Sequence, residues 1–104
     1  MMESHVLSDK VLETVSNYFK ILSDPTRIRI LNLICCEEYA VNEIADKLQL
    51  GQSTVSHQLR LLKNFQLVQN RRKGTTIYYK AADEHVIELL HKAIEHAHHE
   101  VKTM

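Results

Sequence analysis

The 104-residue sequence predicts a mainly α-helical domain with one small β-hairpin. Through most of the chain, apolar residues recur at three- and four-residue steps, which is the pattern of the buried face of a helix. Only between about residues 66 and 80 do short β-prone runs replace this pattern, on either side of a glycine. A content of 44% hydrophobic and 25% charged residues, with one proline, is that of an ordinary globular domain.

Two helices are predicted first. Ser8 caps a helix that runs to about Leu22, with apolar residues at helical spacing. Asp24 and Pro25 start the second helix, as a cap followed by proline at the first helical position. The apolar positions are Val11, Leu12, Val15, Phe19 and Leu22 in the first helix, and Ile28, Leu31 and Ile34 in the second.

Two shorter helices follow. The third spans about residues 41–48 and is expected to stop near Gly51, while Ser53 is expected to cap the fourth. The residues predicted to face inward are Val41, Ile44, Ala45 and Leu48 in the third helix, and Val55, Leu59 and Leu62 in the fourth.

A hairpin and a long last helix complete the chain. Residues 67–70 and 76–79 are the predicted strands, so residues 71–74 form a basic tip. The last helix runs from about Asp83 to about Lys102. Because we find no repeat and no linker, residues 1–104 are expected to be one domain.

Two short helices joined by a tight turn and followed by a basic hairpin predict a winged helix-turn-helix. The helix-turn-helix covers about residues 41–63 and the wing about residues 66–80, and they are followed by the last helix, about residues 83–102. The fourth helix would enter the major groove of DNA. Its inward residues leave polar side chains at its start or outer face, namely Ser53, Thr54, Ser56, His57 and Arg60.

The charge distribution also favours DNA as the binding partner. Residues 47–82 contain seven basic and no acidic residues, whereas both flanking segments are net acidic and bring the total to zero. Binding to phosphates depends on local charge, so a basic middle predicts a polyanion-facing surface. Its predicted DNA-contacting cations are Arg60, Lys63, Arg71, Arg72 and Lys73.

Residues 23–31, 52–62 and 72–79 resemble corresponding segments of the ArsR/SmtB family of metal-sensing bacterial repressors. The resemblance covers nearly the whole chain. It implies a homodimer that binds double-stranded operator DNA, an imperfect inverted repeat, when metal-free. It also implies DNA contacts from Gln52, Ser53, Ser56 and His57.

Histidines concentrate in the last helix, which contains five of the seven. At 100° per residue, His85, His96 and His99 share one side of this helix, whereas His91 and His98 point elsewhere. Eleven residues separate His85 from His96, which is about 16 Å along the axis, far more than a zinc–nitrogen bond of about 2.1 Å. One helix therefore cannot close a metal site.

Antiparallel pairing with a second copy would bring Asp83 and His85 beside His96 and His99 of that copy. This four-ligand arrangement is similar to the interhelical zinc site of the family's zinc sensors. Zn²⁺ is the predicted ligand, with Co²⁺ or Ni²⁺ as alternatives if His5, His91 or His98 raise the coordination number. The first and last helices are expected to build the homodimer.

The cysteines give no second predicted site. The family's Cys-x-Cys site in the third helix would fall on Ala40 and Asn42, so it is absent. Cys35 and Cys36 are expected to be reduced, buried small residues. No apolar stretch is long enough to span a bilayer, and Met1 to His5 lack the pattern of a secretory signal, so a cytoplasmic protein with no membrane partner is expected.

The sequence thus predicts a zinc-responsive repressor, released from operator DNA by metal, that controls metal efflux or homeostasis genes. A nickel- or cobalt-responsive repressor is one alternative, and a repressor that senses oxidation through Cys35 or Cys36, or senses nothing, is another. A zinc hydrolase is disfavoured because four ligands fill the shell that a catalytic site leaves partly open.

Overall fold

The computed structural model describes residues 5–103. The prediction that the N-terminus lacks a secretory signal concerns Met1 to His5 and so falls almost entirely outside the described residues. The described residues form five helices and three strands. In chain order these are α1 (Asp9–Ile21), α2 (Pro25–Leu33), β1 (Tyr39–Ala40), α3 (Val41–Leu48), α4 (Gln52–Asn64), β2 (Val68–Lys73), β3 (Thr76–Ala81) and α5 (Glu84–Thr103). No helix of this part is apolar over a length that would cross a membrane.

The predicted caps of the first two helices are confirmed. The Ser8 hydroxyl accepts a hydrogen bond from the Val11 N–H at 3.2 Å, and the Asp24 carboxylate accepts one from Arg27 N–H at 3.0 Å. Each bond satisfies an N–H group that has no partner inside its helix, so these short polar side chains fix where α1 and α2 begin.

The predicted bounds of α3, residues 41–48, are confirmed, but the residues predicted to end α3 and to cap α4 are wrong. α3 ends at Leu48, and its C-cap is Gln49, which adopts the left-handed conformation with φ 57°, rather than Gly51. Gly51 is instead the N-cap of α4, and Ser53 lies inside its first turn. The Gln49 side chain donates to the Asp46 carbonyl at 2.9 Å, a local bond that accompanies the ending usually made by glycine.

The sheet has one strand more than predicted. β2 and β3 form the expected antiparallel hairpin, which turns at Gly74 with φ +65°. β1 adds to the other edge of β3, pairing Tyr39 with Tyr79 and Ala40 with Tyr78. Consequently the hairpin is anchored to the segment that leads into α3.

One apolar core joins α2, α3, α4 and the start of α5. Its fully buried side chains include Ile44, Leu59 and Leu62, which hold the two helices of the helix-turn-helix together. Backbone bonds from Ala81 N–H to the Ile34 carbonyl, at 3.0 Å, and from Ala82 N–H to the Leu67 carbonyl, at 2.9 Å, tie the end of the sheet to this core.

The apolar face of α1 points away from that core. Leu12 and Phe19 are 54% and 56% exposed, and only Ile21 of this helix is buried. On α5 the sequence predicts an exposed apolar stripe of Val86, Leu90, Ala93 and Ala97. This is partly wrong, since Val86 and Leu90 are buried within the protomer while Ala93 and Ala97 are exposed. Among the described residues, α1 therefore carries the largest group of exposed apolar side chains: Val11, Leu12, Val15 and Phe19.

Candidate DNA-binding and metal-binding sites

Helix α4 presents a polar outer face, as predicted. Val55, Leu59 and Leu62 are fully buried, which fixes the rotation of the helix about its axis. The predicted DNA-facing residues are exposed except Ser56, which is half-buried; the exposed ones are Gln52, Ser53, Thr54, His57, Arg60 and Lys63. Short hydroxyl groups near the helix start leave room for close approach to a groove.

Helix α2 holds the helix-turn-helix through two arginines. Arg27 Nε donates to the Gln58 side-chain oxygen of α4 at 3.0 Å. Arg29 Nη2 donates to the Leu48 carbonyl at the end of α3 at 2.6 Å, where a cation also complements the helix dipole. Helix α2 is thus hydrogen-bonded to both helices of the helix-turn-helix.

The basic residues of the wing lie on a strand. The predicted tip residues Arg71, Arg72 and Lys73 belong to β2, because the strands extend further toward the turn than expected. Arg72 and Lys73 are exposed. Lys63 of α4 donates to the Asn70 side chain at 3.2 Å, so the recognition helix and the wing are in direct contact.

Arg71 differs from its neighbours because it is paired with a carboxylate. Its Nε donates to both carboxylate oxygens of Glu38, at 2.9 and 2.8 Å, and its Nη2 donates to one of them as well. Hydrogen bonding to Arg71 holds the pKa of Glu38 below its ordinary value, and the same bond raises the pKa of Arg71.

Asp83 occupies the capping position just before α5. The sequence predicts this position, because residues two apart, such as Asp83 and His85, cannot both point the same way from one helix. Its Oδ1 accepts hydrogen bonds from the His85 and Val86 N–H groups, at 3.0 and 3.1 Å. Both bonds use the same oxygen, which leaves Oδ2 for a ligand. The carboxylate is therefore held in a fixed orientation at the start of α5.

The three predicted histidine ligands, His85, His96 and His99, are exposed. His96 Nε2 lies 3.8 Å from a Glu100 carboxylate oxygen. Within the described part of a single protomer, His, Cys, Asp and Glu side chains form no group of three or more suited to a metal ion. The predicted four-ligand set therefore stays a prediction that requires a second subunit.

His91 lies in a different environment on α5. It lines a shallow cleft with Glu88, Lys92 and Glu95, in which Lys92 and Glu95 are 3.6 Å apart. Its location away from the predicted edge makes it a control for the ligand set.

The expectation of buried cysteines is wrong for Cys36, which is exposed, while Cys35 is half-buried. Their sulfur atoms are 3.3 Å apart, and burial raises the pKa of the Cys35 thiol. Cys35 also lines a cleft with Asp83 and Glu84, so its thiol lies nearer the start of α5 than its position in the chain suggests.

Sequence reasoning missed three polar residues that position these surfaces: Glu38, Arg27 and Gln58. The partners in each contact are 31 or 33 residues apart in the chain. The only available signal for Glu38 was an acidic residue before a predicted helix, which is too common to identify a partner.

Comparison with known proteins gives a consistent result. The model of the family "Bacterial regulatory protein, arsR family" matches residues 24–70. The chain is 34% identical to a transcriptional repressor SmtB homolog of Synechocystis over 91% of this chain and 72% of that protein. It is 41% identical to a cadmium resistance transcriptional regulatory protein CadC homolog of Staphylococcus aureus, over 79% and 69%.

A solved structure agrees in fold. The homodimeric winged helix-turn-helix DNA-binding domain Mb0332 of Mycobacterium bovis superposes with a TM-score of 0.80 and 32% identity, covering 97% of this chain and 96% of that one. The predicted fold class, mainly α with a β-hairpin in a winged helix-turn-helix, is confirmed.

Proposed function

Since the chain belongs to the arsR family of bacterial regulatory proteins, we propose that it is a zinc-responsive repressor whose metal-free homodimer binds operator DNA and is released by metal. Membership makes it a DNA-binding transcription regulator rather than an enzyme, which removes the hydrolase alternative. The observation that carries the zinc proposal is the oriented carboxylate of Asp83 at one end of α5, with His96 and His99 exposed toward the other.

In the DNA complex, α4 lies in the major groove and the wing follows the phosphate backbone. The hydroxyl and imidazole groups of Ser53, Ser56 and His57 contact base edges or nearby phosphates. Gln52 and Thr54 flank them at the helix start, and Arg60, Lys63, Arg72 and Lys73 supply positive charge. Two subunits read the two halves of an imperfect inverted repeat, because the symmetry of the dimer is matched by that of the operator.

In the metal complex, two α5 helices lie antiparallel across the dimer. Asp83 and His85 of each protomer join His96 and His99 of its partner, which gives two equivalent sites. His96 and His99 are three residues apart and can converge on one ion, whereas Asp83 reaches it from the capping position outside the helix. Imidazole and carboxylate ligands in a set of four suit tetrahedral zinc.

The route from metal to DNA runs through α2. Val86 and Leu90 of α5 are buried in the core that includes α2, and Arg27 joins α2 to Gln58 of the recognition helix. Zinc that fixes the angle between the two α5 helices therefore also fixes the spacing of the two α4 helices. By linkage, operator binding must weaken zinc binding by the same factor that zinc weakens operator binding.

The choice of metal is tested by titration. An operator duplex selected from a random-sequence library is bound to the metal-free protein, and its affinity is measured with Zn²⁺, Co²⁺, Ni²⁺ and Cd²⁺ in turn. We expect the largest loss of affinity with Zn²⁺. Larger losses with Co²⁺ or Ni²⁺ would favour the alternative that the other histidines increase the coordination number.

A thiol-based sensor is the second candidate. The 3.3 Å separation of the Cys35 and Cys36 sulfur atoms, beside the cleft that contains Asp83, favours a soft ion such as the cadmium named for the CadC relative. If Cd²⁺ releases DNA more strongly than Zn²⁺, and Cys35→Ser abolishes this response, the thiols rather than the histidines are the sensor.

Substitutions on α4 and on the wing should have different effects on DNA specificity. Ser56→Ala or His57→Ala removes a base-reading group, so we expect operator affinity to fall by about 1–3 kcal/mol while random-sequence affinity changes little. Arg72→Ala removes a phosphate contact, so affinity for both DNAs should fall alike. The slope of log K against log salt should become shallower by about 0.9 for each wing. Equal losses on both DNAs for Ser56→Ala and His57→Ala would contradict base reading by α4.

A further inference from the structure

An acidic residue just before β1, Glu38, lies against the wing at the surface where DNA is expected to lie. Glu38 is outside the basic segment 47–82, yet its carboxylate is held by three hydrogen bonds against Arg71 of β2. The side chains of Arg71 and Glu38 are 55% and 31% exposed. The pair is therefore accessible to a DNA backbone.

The sheet fixes the position of both charges. Tyr78 of β3 pairs with Arg71 on one side and with Ala40 of β1 on the other, and Glu38 lies two residues before Ala40. The Arg71 guanidinium is 5.8 Å from the centre of the Tyr78 ring, a cation–π distance. Ladder pairing and the ring thus hold Arg71 where Glu38 meets it.

The bidentate geometry allows this contact a modest contribution to folding, but Arg71 is exposed and water screens the pair. The Glu38–Arg71 pair has a clearer effect on the net charge of the wing. Of the three consecutive cations Arg71, Arg72 and Lys73, one is neutralised by Glu38. Affinity for DNA of any sequence increases with the number of phosphates that a protein neutralises, so removing one cation per wing lowers non-specific binding.

We propose that Glu38 limits the sequence-independent affinity of the wing: it holds Arg71 away from phosphates and thereby weakens binding to DNA of any sequence. Arg72 and Lys73 then make the phosphate contacts of the wing, and base contacts from α4 account for a larger share of operator affinity. The inference rests on DNA binding through the wing and is independent of the metal response.

The test measures binding to a 30-base-pair random-sequence duplex, with a metal chelator present, between about 50 and 200 mM salt. Glu38→Gln keeps the size of the side chain and releases Arg71 to the phosphates. For a dimer with two wings, the slope of log K against log salt should steepen by about 1.8. Over this fourfold salt range, the added loss of affinity is about 12-fold.

Two further variants distinguish this role from a structural one. Glu37→Gln removes a neighbouring exposed charge that has no such partner, and its slope should stay near that of the unmodified protein. The double variant Glu38→Gln with Arg71→Gln should return to the unmodified slope, because it removes a pair that is neutral in the complex. A slope shallower than that of the unmodified protein would mean that Arg71 already contacts phosphate, which would overturn the proposal.

An unchanged slope or a weaker affinity in Glu38→Gln would overturn the proposal, and so would an equal shift in Glu37→Gln. Since no metal is present, failure of zinc to release the operator leaves these outcomes unaffected. Conversely, failure of the Glu38 prediction leaves the zinc-sensing proposal intact.

Discussion

His96→Ala should bind operator DNA as tightly as the unmodified metal-free protein and should no longer respond to zinc. The side chain of His96 is 73% exposed and contributes nothing to the core, so its removal should leave fold and dimer intact. One ligand of each proposed site is lost, and with it the coupling between metal and DNA. Couplings of this kind are typically about 1–3 kcal/mol, so a zinc effect of about 5- to 150-fold should disappear.

The measurement is operator affinity with and without zinc, and His91→Ala is the matched control. His91 is an exposed histidine on the same helix, but it lies in the cleft with Glu88 and Lys92. Its variant should respond to zinc like the unmodified protein. If His96→Ala still releases DNA on adding zinc, the interhelical set is not the sensor, and Cys35, Cys36 and His5 become the candidates.

Local signals in the sequence predicted most of the helices because each depends on nearby residues. The caps at Ser8 and Asp24 bond to N–H groups three residues away, and the inward face of α4 follows from spacing alone. Asp83 was predicted at a cap for a similar reason, since residues two apart cannot both point the same way from one helix.

The errors arise where several neighbouring residues could each end one helix or cap the next. Gly51 looked like the end of α3, but Gln49 adopts the left-handed conformation first. Because α3 ends earlier, Gly51 is the N-cap of α4 and Ser53 lies inside the first turn of that helix. Propensity favours glycine at such a position, but the position itself is set by where Ile44 and Val55 must pack.

Long-range contacts were beyond sequence reasoning. A two-residue strand such as β1 has no pattern of its own and forms only because β3 offers an unpaired edge. The Glu38–Arg71 and Arg27–Gln58 contacts likewise depend on how separate elements pack. Such contacts decide which charges of a predicted DNA-binding surface are free. A count of basic residues in the sequence therefore overestimates the positive charge that the wing can offer to DNA.

The second large effect is expected at the dimer interface, where Leu12→Glu should produce a monomer that has lost most of its operator affinity. Leu12 is 54% exposed and Phe19 56%, while α1 meets the core of its own protomer mainly through Ile21, Tyr18 and Leu22. A charge on this face therefore disturbs the contact between subunits rather than the core. The variant should keep its helical content and its thermal unfolding should stay cooperative.

Loss of the dimer separates the two half-site contacts, which in the intact protein reinforce each other through a high effective concentration. We expect operator affinity to fall by about 10²- to 10⁴-fold, and zinc binding to fail as well, because each proposed site takes ligands from both subunits. Sedimentation measures the oligomeric state, and operator titration measures the affinity.

Lys10→Glu is the control for the introduced charge. Lys10 is exposed on the opposite side of α1 from Leu12, about 160° around the helix axis. Its substitution alters the net charge by more than Leu12→Glu does, so a general electrostatic effect on DNA binding would be larger in the control. If Leu12→Glu remains a dimer with full operator affinity, the exposed apolar face of α1 is not part of the contact between subunits.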